Sequence, residues 1–313
     1  MRGFKVIHPG MYTTYQDLGR RGFRKYGIPL SGAMDKAALK ASNLLVGNPE
    51  SKAGLEITLQ GLKMVALEPL VIAVTGADLQ FTINSEYHPP WRSFLLKAGD
   101  VVQFRGRKSG LRSYLAVRGG FRAPTFMGSC SVFERCSMGA PLRADNVLEV
   151  GDTVTESLGE VCIPEKYIPK SSHQISIRVI MGPQVEAFTP QGIETFLQST
   201  YRVTPQSDRI GYRLDGPRIG HRGRADIISE PVVPGSIQVP NDGQPIALMV
   251  DAQVTGGYAK IATAISPDLD LLAQAVPGDT VQFEETDQDG ARRARLEQRK
   301  LLDWIRNTIP PVG

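Results

Sequence analysis

Three polar stretches of the 313-residue chain hold the kinds of side chain that bind or activate small polar molecules. The first is Tyr15-Gln16-Asp17-Leu18-Gly19-Arg20-Arg21-Gly22, followed by Gly27-Ile28-Pro29-Leu30-Ser31-Gly32-Ala33-Met34-Asp35. A glycine-rich loop entering a helix presents backbone N–H groups and a positive dipole end, suited to a carboxylate, a phosphate or a developing oxyanion. Arg20 and Arg24 either add anion contacts to it or pair with Asp17 and Asp35 at a capped helix. The second stretch is Ser207-Asp208-Arg209-Ile210-Gly211-Tyr212-Arg213, an anion site or a local salt-bridged turn. The third is Ser236–Pro245 (SIQVPNDGQP) and then Asp251–Tyr258 (DAQVTGGY). Alternation over residues 246–255 predicts a strand, with Leu248, Val250, Ala252 and Val254 on one face and Asp251, Gln253 and Thr255 on the other. Aspartate is depleted in strands, so this polar face beside Gly256-Gly257 reads as hydrogen-bonding to a ligand that Tyr258 closes over.

Other chemistries lack their signatures. There is no G-x-x-x-x-G-K-[ST], G-x-G-x-x-G, H-E-x-x-H or G-x-S-x-G. Leu62-Lys63-Met64 lacks the first methionine of a biotin-carrier M-K-M and sits in a strand pattern. Covalent biotin is therefore not expected on this chain, and a nucleotide would need a shared or unfamiliar site. His8, His88, His173 and His221 are scattered, and Cys130, Cys136 and Cys162 have no C-x-x-C spacing, so no metal site is expected. Odd, unspaced cysteines and an N-terminus without an apolar leader predict reduced thiols in the cytoplasm. A net charge of +4 without a basic block points away from nucleic acid, and no run reaches the roughly eighteen apolar residues of a membrane span.

The elements that must position these groups are mostly strands. With 32 glycines and 22 prolines, the chain favours short strands and tight turns over long helices. Strand patterns cover Gly54–Leu59, Leu62–Leu67, Leu70–Thr75, Val101–Phe104, Ser113–Val117, Ile175–Ile180 and Ile246–Val250. Helices are expected over Met34–Val46, capped near Ser31-Gly32, around Ile193–Gln198, and over Gly290–Asn307 before Pro310-Pro311. An internal echo links R-x-G-aromatic-R at Arg20–Arg24 and Arg209–Arg213, and A/P-G-D before a strand at Ala98–Phe104 and Pro277–Phe283. Two related β-domains in tandem follow, 1–165 and 174–313, with the boundary in Ile163–His173.

Six ordered motifs, Q-D-x-G-R-x-G-x-R (Gln16–Arg24), S-G-A-M-D (Ser31–Asp35), S-Y-L-A-V-R-G-G (Ser113–Gly120), S-D-R-x-G-Y-R-L (Ser207–Leu214), Q-V-P-x-D-G-Q-P-I (Gln238–Ile246) and D-A-Q-x-T-G-G-Y (Asp251–Tyr258), resemble the allophanate-hydrolase-subunit-2 family. It is also called the KipA or biotin-dependent carboxyltransferase family. The resemblance runs over about residues 3–285 and implies a mainly β fold, tandem cyclophilin-like β-barrels with a few short helices. One stretch departs from the family pattern, G-G-x-x-G-R-x-L-x-x-G-D after G-S-x-S: following Gly128-Ser129-Cys130-Ser131, the segment Val132–Leu142 has neither the G-G nor the G-R.

The resemblance also implies a protein that works with partners, the KipI-like B subunit and the A subunit of 5-oxoprolinase. Together they would open 5-oxo-L-proline to L-glutamate, with ATP bound in a shared site. Two alternatives use the same scaffold: the carboxyltransferase of a biotin-dependent urea or amide carboxylase, and a non-catalytic regulator that binds a KipI-like kinase inhibitor. These residues lie in the matching motifs, and from their own chemistry Arg20, Arg209 and Arg213 would stabilise an anion, and Asp251 and Gln253 would hold or polarise the substrate. Gln16, Asp17, Ser31, Gly32, Met34, Gln238, Asp242, Gln244, Thr255, Gly256, Gly257 and Tyr258 would bind it.

Overall fold

Short strands bounded by glycine turns build most of the chain in a computed structural model that describes residues 1–151 and 160–309. The chain divides into two units, each with its own core. The first comprises Met1–Arg20, Asp35–Ser171 and Gln298–Gly313; the second comprises Arg21–Met34 and Ser172–Glu297. A single cut near residues 165–174 therefore misses two segments. Arg21–Met34 goes with the second unit because Ser31 N–H bonds the Val250 carbonyl and Met34 is buried in that unit's core. The C-terminal segment goes with the first, where Arg306 pairs with Glu50 and Trp304 packs on Tyr167.

In the first unit the strands are β1 (Arg2–Pro9), β2 (Tyr12–Gln16), β3 (Gly54–Thr58), β4 (Leu62–Ala66), β5 (Leu70–Asp78), β6 (Phe81–Ile83), β7 (Glu86–Tyr87), β8 (Arg92–Leu96), β9 (Val101–Phe104), β10 (Ser109–Val117) and β11 (Val147–Glu149). They form one sheet in the order β11-β1-β4-β9-β6-β7 and another in the order β2-β3-β10-β5-β8. Alternate residues of both sheets, among them Phe4, Met64, Phe81, Val102, Leu55, Ile72, Phe94 and Leu115, meet in one core. Spacing puts Ala37, Ala38, Ala41, Leu44 and Leu45 on one face of helix α1 (Lys36–Leu45), and all but the half-buried Leu44 are buried. Its N-cap is Asp35 itself, whose side chain accepts from Ala38 N–H at 2.8 Å, and not the Ser31-Gly32 pair.

The second unit contains β12 (Gln174–Met181), α2 (Pro190–Gln198), β13 (Thr200–Val203), β14 (Gly211–Asp215), β15 (Asp226–Pro231), β16 (Ser236–Gln238), β17 (Ile246–Leu248), β18 (Thr255–Tyr258), β19 (Lys260–Ala264), α3 (Ser266–Leu272) and β20 (Thr280–Glu285). Seven of these strands close a barrel in the order β12-β19-β16-β17-β14-β13-β20, and the parallel pair β12–β20 completes the ring. β15 and β18 make a separate two-stranded ribbon. Helix α4 (Gln288–Thr308) matches the expected terminal helix; Pro310-Pro311 lie outside the described residues. The protein is thus mainly β, as expected.

Half of the internal echo survives as geometry. Gly99-Asp100 before β9 and Gly278-Asp279 before β20 make the same turn, each glycine at φ above +90° with open space at its Cβ. Each aspartate accepts a hydrogen bond from the N–H three residues back, Lys97 at 2.7 Å and Val276 at 2.9 Å. The R-x-G-aromatic-R pair is not equivalent: Gly211 opens strand β14, whereas Arg24 begins a short 3-10 turn. Burial separates the two shared turns energetically. Asp279→Ala leaves the buried Val276 N–H without its acceptor and is expected to cost about 1–3 kcal/mol, against less than about 1 kcal/mol for the half-buried Asp100→Ala, whose Lys97 N–H partner is solvent-accessible; urea unfolding of both variants measures the difference.

Candidate functional site

Of the residues read as functional, one group converges in the second unit. β17 stops at Leu248, and the chain then turns: Met249 N–H bonds the Ile210 carbonyl, Asp251 N–H the Arg209 carbonyl, and Ala252 N–H the Met249 carbonyl. The expected continuous strand over 246–255 is therefore wrong. Asp251 lies in the turn, 6% exposed, while Gln253 and Thr255 are exposed and do not share its environment. Because the turn sets residues 249–251 beside 209–210, the Asp251 carboxylate receives the Arg209 guanidinium, Nε to Oδ2 at 2.7 Å and Nη2 to Oδ1 at 3.3 Å. Arg209 Nη2 also donates to the Gly32 carbonyl at 2.7 Å. Ser31 N–H donates to the Val250 carbonyl at 2.9 Å, so the glycine-rich loop is tied to both sides of the ion pair.

The loop itself is strained. Ser31 sits at φ +54° and Gly32 at +94°, both left-handed, and for serine that conformation is costly. Ser31 is fully buried, and its hydroxyl has no hydrogen-bond partner among the described residues. Chemically, this group is a buried and internally neutralised guanidinium–carboxylate pair that fixes a strained, hydroxyl-bearing loop.

The remaining assignments in this unit fall elsewhere. Gln238 is buried in β16 and donates from Nε2 to the Tyr258 carbonyl at 3.2 Å; a Cβ on Gly256 would meet that nitrogen at 2.5 Å and displace the amide. Gln244 is committed to the backbone of Gly216, accepting from its N–H and donating to its carbonyl, both at 2.9 Å. Asp242 caps its own turn at Gln244 N–H, and Asp208 does the same at Ile210 and Gly211. Arg213 is an exposed strand residue, and Met34 is core. Arg24 donates to the Val232 carbonyl and does not pair with an acid there.

Gln16, Asp17 and Arg20 belong to the first unit, where they secure one loop. Asp17 accepts from the Ser129 hydroxyl (2.7 Å), the Ser131 hydroxyl (2.6 Å), and the N–H groups of Gly19 (2.7 Å) and Cys130 (2.9 Å). Arg20, fully buried, donates to the Ser131 carbonyl, and Gln16 Nε2 reaches Thr14 Oγ1 at 3.0 Å. The segment held this way closes a tight hairpin, Phe126 and Ser129 bonding each other's backbone across Met127 and Gly128, both at positive φ. Cys130 is buried beside Asp17, and burial followed by that negative charge pushes its thiol far above the ordinary range, which removes it as a nucleophile.

Residue-type reasoning missed a further polar group. Lys260, 5% exposed on β19, pairs with Glu230 of the ribbon, and Gln184 bridges them, donating to Glu230 at 2.6 Å and accepting from Lys260 N–H at 3.3 Å. A lysine within an apolar strand, KIATA, was the available signal. The hydrogen bond from Lys260, more than the opposing effect of desolvation, holds the Glu230 carboxyl below its usual pKa. Among the described residues, no group of three or more His, Cys, Asp or Glu is placed to hold a metal ion, and no helix is long and apolar enough to cross a membrane.

The Asp17 cluster has a pH consequence. Burial alone would raise this carboxyl, but the hydrogen bonds from Ser131, Ser129, Gly19 and Cys130 outweigh it and hold the pKa below the usual value. A depressed carboxyl contributes its full stabilisation above the unfolded pKa, about 3.9, and loses it as pH falls through the lower folded value. Asp17→Asn is therefore expected to lower stability at neutral pH and to flatten the acid limb of the stability curve below about pH 4, measured by urea unfolding against pH.

Comparison with known proteins follows the same motifs. The chain is 36% identical over 307 residues to the C subunit of 5-oxoprolinase from Escherichia coli (strain K12), covering 96% of this chain and 97% of that one. It is 34% identical to the corresponding 5-oxoprolinase C subunit of Haemophilus influenzae, covering 95% of each. Among solved structures, the crystal structure of the K. lactis urea amidolyase superposes with a TM-score of 0.90 at 29% identity, over 97% of this chain but only 20% of that longer one. Residues 26–285 match the carboxyltransferase domain, subdomain A and B, and the chain belongs to that family.

Proposed function

We propose that this chain is the C subunit of a 5-oxoprolinase, which opens 5-oxo-L-proline to L-glutamate together with an A subunit and a KipI-like B subunit. The observation that carries the reading is the end-to-end similarity to proteins named as the C subunit of 5-oxoprolinase, over 95% or more of both chains. The urea amidolyase match, by contrast, is confined to a fifth of a longer chain.

A lactam resists hydrolysis because amide resonance stabilises its carbonyl, and ATP supplies the phosphoryl group that relieves this. The two buried arginines read as anion contacts are committed within the fold. Arg209 is neutralised by Asp251, and Arg20 is buried against the Ser131 carbonyl. We therefore assign the nucleotide to the partner subunits, and to this chain the task of holding the amide in register. Asp251 and Arg209 position the Ser31–Gly32 loop.

The urea-carboxylase reading, in which the same loop presents an amide to carboxybiotin carried by another protein, draws on the TM-score of 0.90. A coupled ADP-release assay with 5-oxoproline, run with and without candidate A and B subunits, separates the two. The isolated chain is expected to show negligible turnover and the complex sustained turnover. In the complex, Asp251→Asn is expected to reduce kcat/KM at least tenfold, about 1.4 kcal/mol. Biotin-dependent carboxylation of urea by a complex inert toward 5-oxoproline would reverse the order.

A further inference from the structure

Ser31 combines two unfavourable features that the fold does not use. Its backbone is left-handed at φ +54°, where glycine would be cheaper, and its hydroxyl is fully buried with neither donor nor acceptor satisfied among the described residues. What holds the loop is main chain and Arg209: Ser31 N–H to Val250, and Arg209 to the Gly32 carbonyl. Alanine at this position would avoid the unsatisfied hydroxyl, and glycine would avoid both costs. Strain and an unpaired polar atom at one residue, beside a locked ion pair, mark a site kept for a ligand.

We propose that the Ser31 hydroxyl is the hydrogen-bonding group that recognises the substrate amide, with Arg209 and Asp251 as its positioning residues; this deepens the reading above and rests on it. A serine hydroxyl both donates and accepts, which matches the C=O and N–H of an amide. The adjacent guanidinium is paired with Asp251, so the group offered to the amide is the hydroxyl and not a charge. Because Ser31 is covered in this conformation, the ligand reaches it when the preceding stretch moves. That stretch is exposed over residues 25–27 and has left-handed Gly27 at its end.

The shared chemistry is the amide, and a lactam and urea are its two sources. The test measures thermal shift of the full-length chain, and turnover of the assembled complex, for wild type, Ser31→Ala and Ser31→Gly with 5-oxoproline, 2-pyrrolidinone and urea. Wild type is expected to be stabilised by an amide, and both variants to lose at least tenfold in apparent affinity. Without ligand, Ser31→Gly is expected to melt at or above the wild-type temperature, since the glycine removes the backbone strain. A lactam-selective shift identifies the lactam as the ligand, and a urea-selective shift identifies urea. Wild-type binding of an amide without 5-oxoproline turnover would reject the hydrolase reading while supporting Ser31. Equal affinity in all three proteins, or no shift of wild type by any amide, would overturn the proposal.

Discussion

The buried ion pair between Arg209 and Asp251 is the constraint on which the second unit's polar site depends. Placing two charges in a barrel's end is costly unless each is matched, and here the match is close, with a second guanidinium bond to the Gly32 carbonyl. Removal of either partner strands the other, a loss typically of about 3–5 kcal/mol. The pair therefore acts less as a charge offered to a substrate than as a clasp. It joins residues 177 positions apart and sets the conformation of a loop whose own sequence does not favour it.

The first unit uses the same approach with a single carboxylate. Asp17 gathers two hydroxyls and two backbone N–H groups, and through them fixes the segment behind the Phe126–Ser129 hairpin. A carboxylate holding four donors is a rigid node, and this one holds Ser129–Ser131, just before the Val132–Leu142 stretch that departs from the family pattern. Motif residues that read as ligand contacts thus divide into two kinds. Gln16, Asp17, Arg20, Gln238 and Gln244 bond within the fold, whereas Ser31 combines full burial with an unsatisfied hydroxyl and a strained backbone.

Much of the architecture was legible from local chemistry. Apolar alternation located β3, β4, β5 and β10, the alanine-rich face located α1, and the two G-D turns gave matching strand starts in both units. What escaped was set by tertiary contact. The D-A-Q-V-T alternation imitates a strand, but main-chain bonds to residues 209 and 210 turn it. Nothing in the composition of residues 21–34 announces that they leave one core for another, because their attachments are main-chain groups, the Arg24 side chain and one buried methionine. The Lys260–Glu230 pair was equally hidden, since its members lie thirty residues apart on a strand and a ribbon.

Exchange of the Ser31 amide tests the clasp most directly. In the wild-type chain this N–H is bonded to Val250 and fully buried, so hydrogen exchange followed by NMR is expected to find it protected nearly as well as the barrel amides. In Arg209→Gln, its protection is expected to fall by at least tenfold while the β12, β19 and β20 amides keep theirs. Unchanged protection of Ser31 in that variant would contradict the account, because the loop would then hold its conformation without the ion pair.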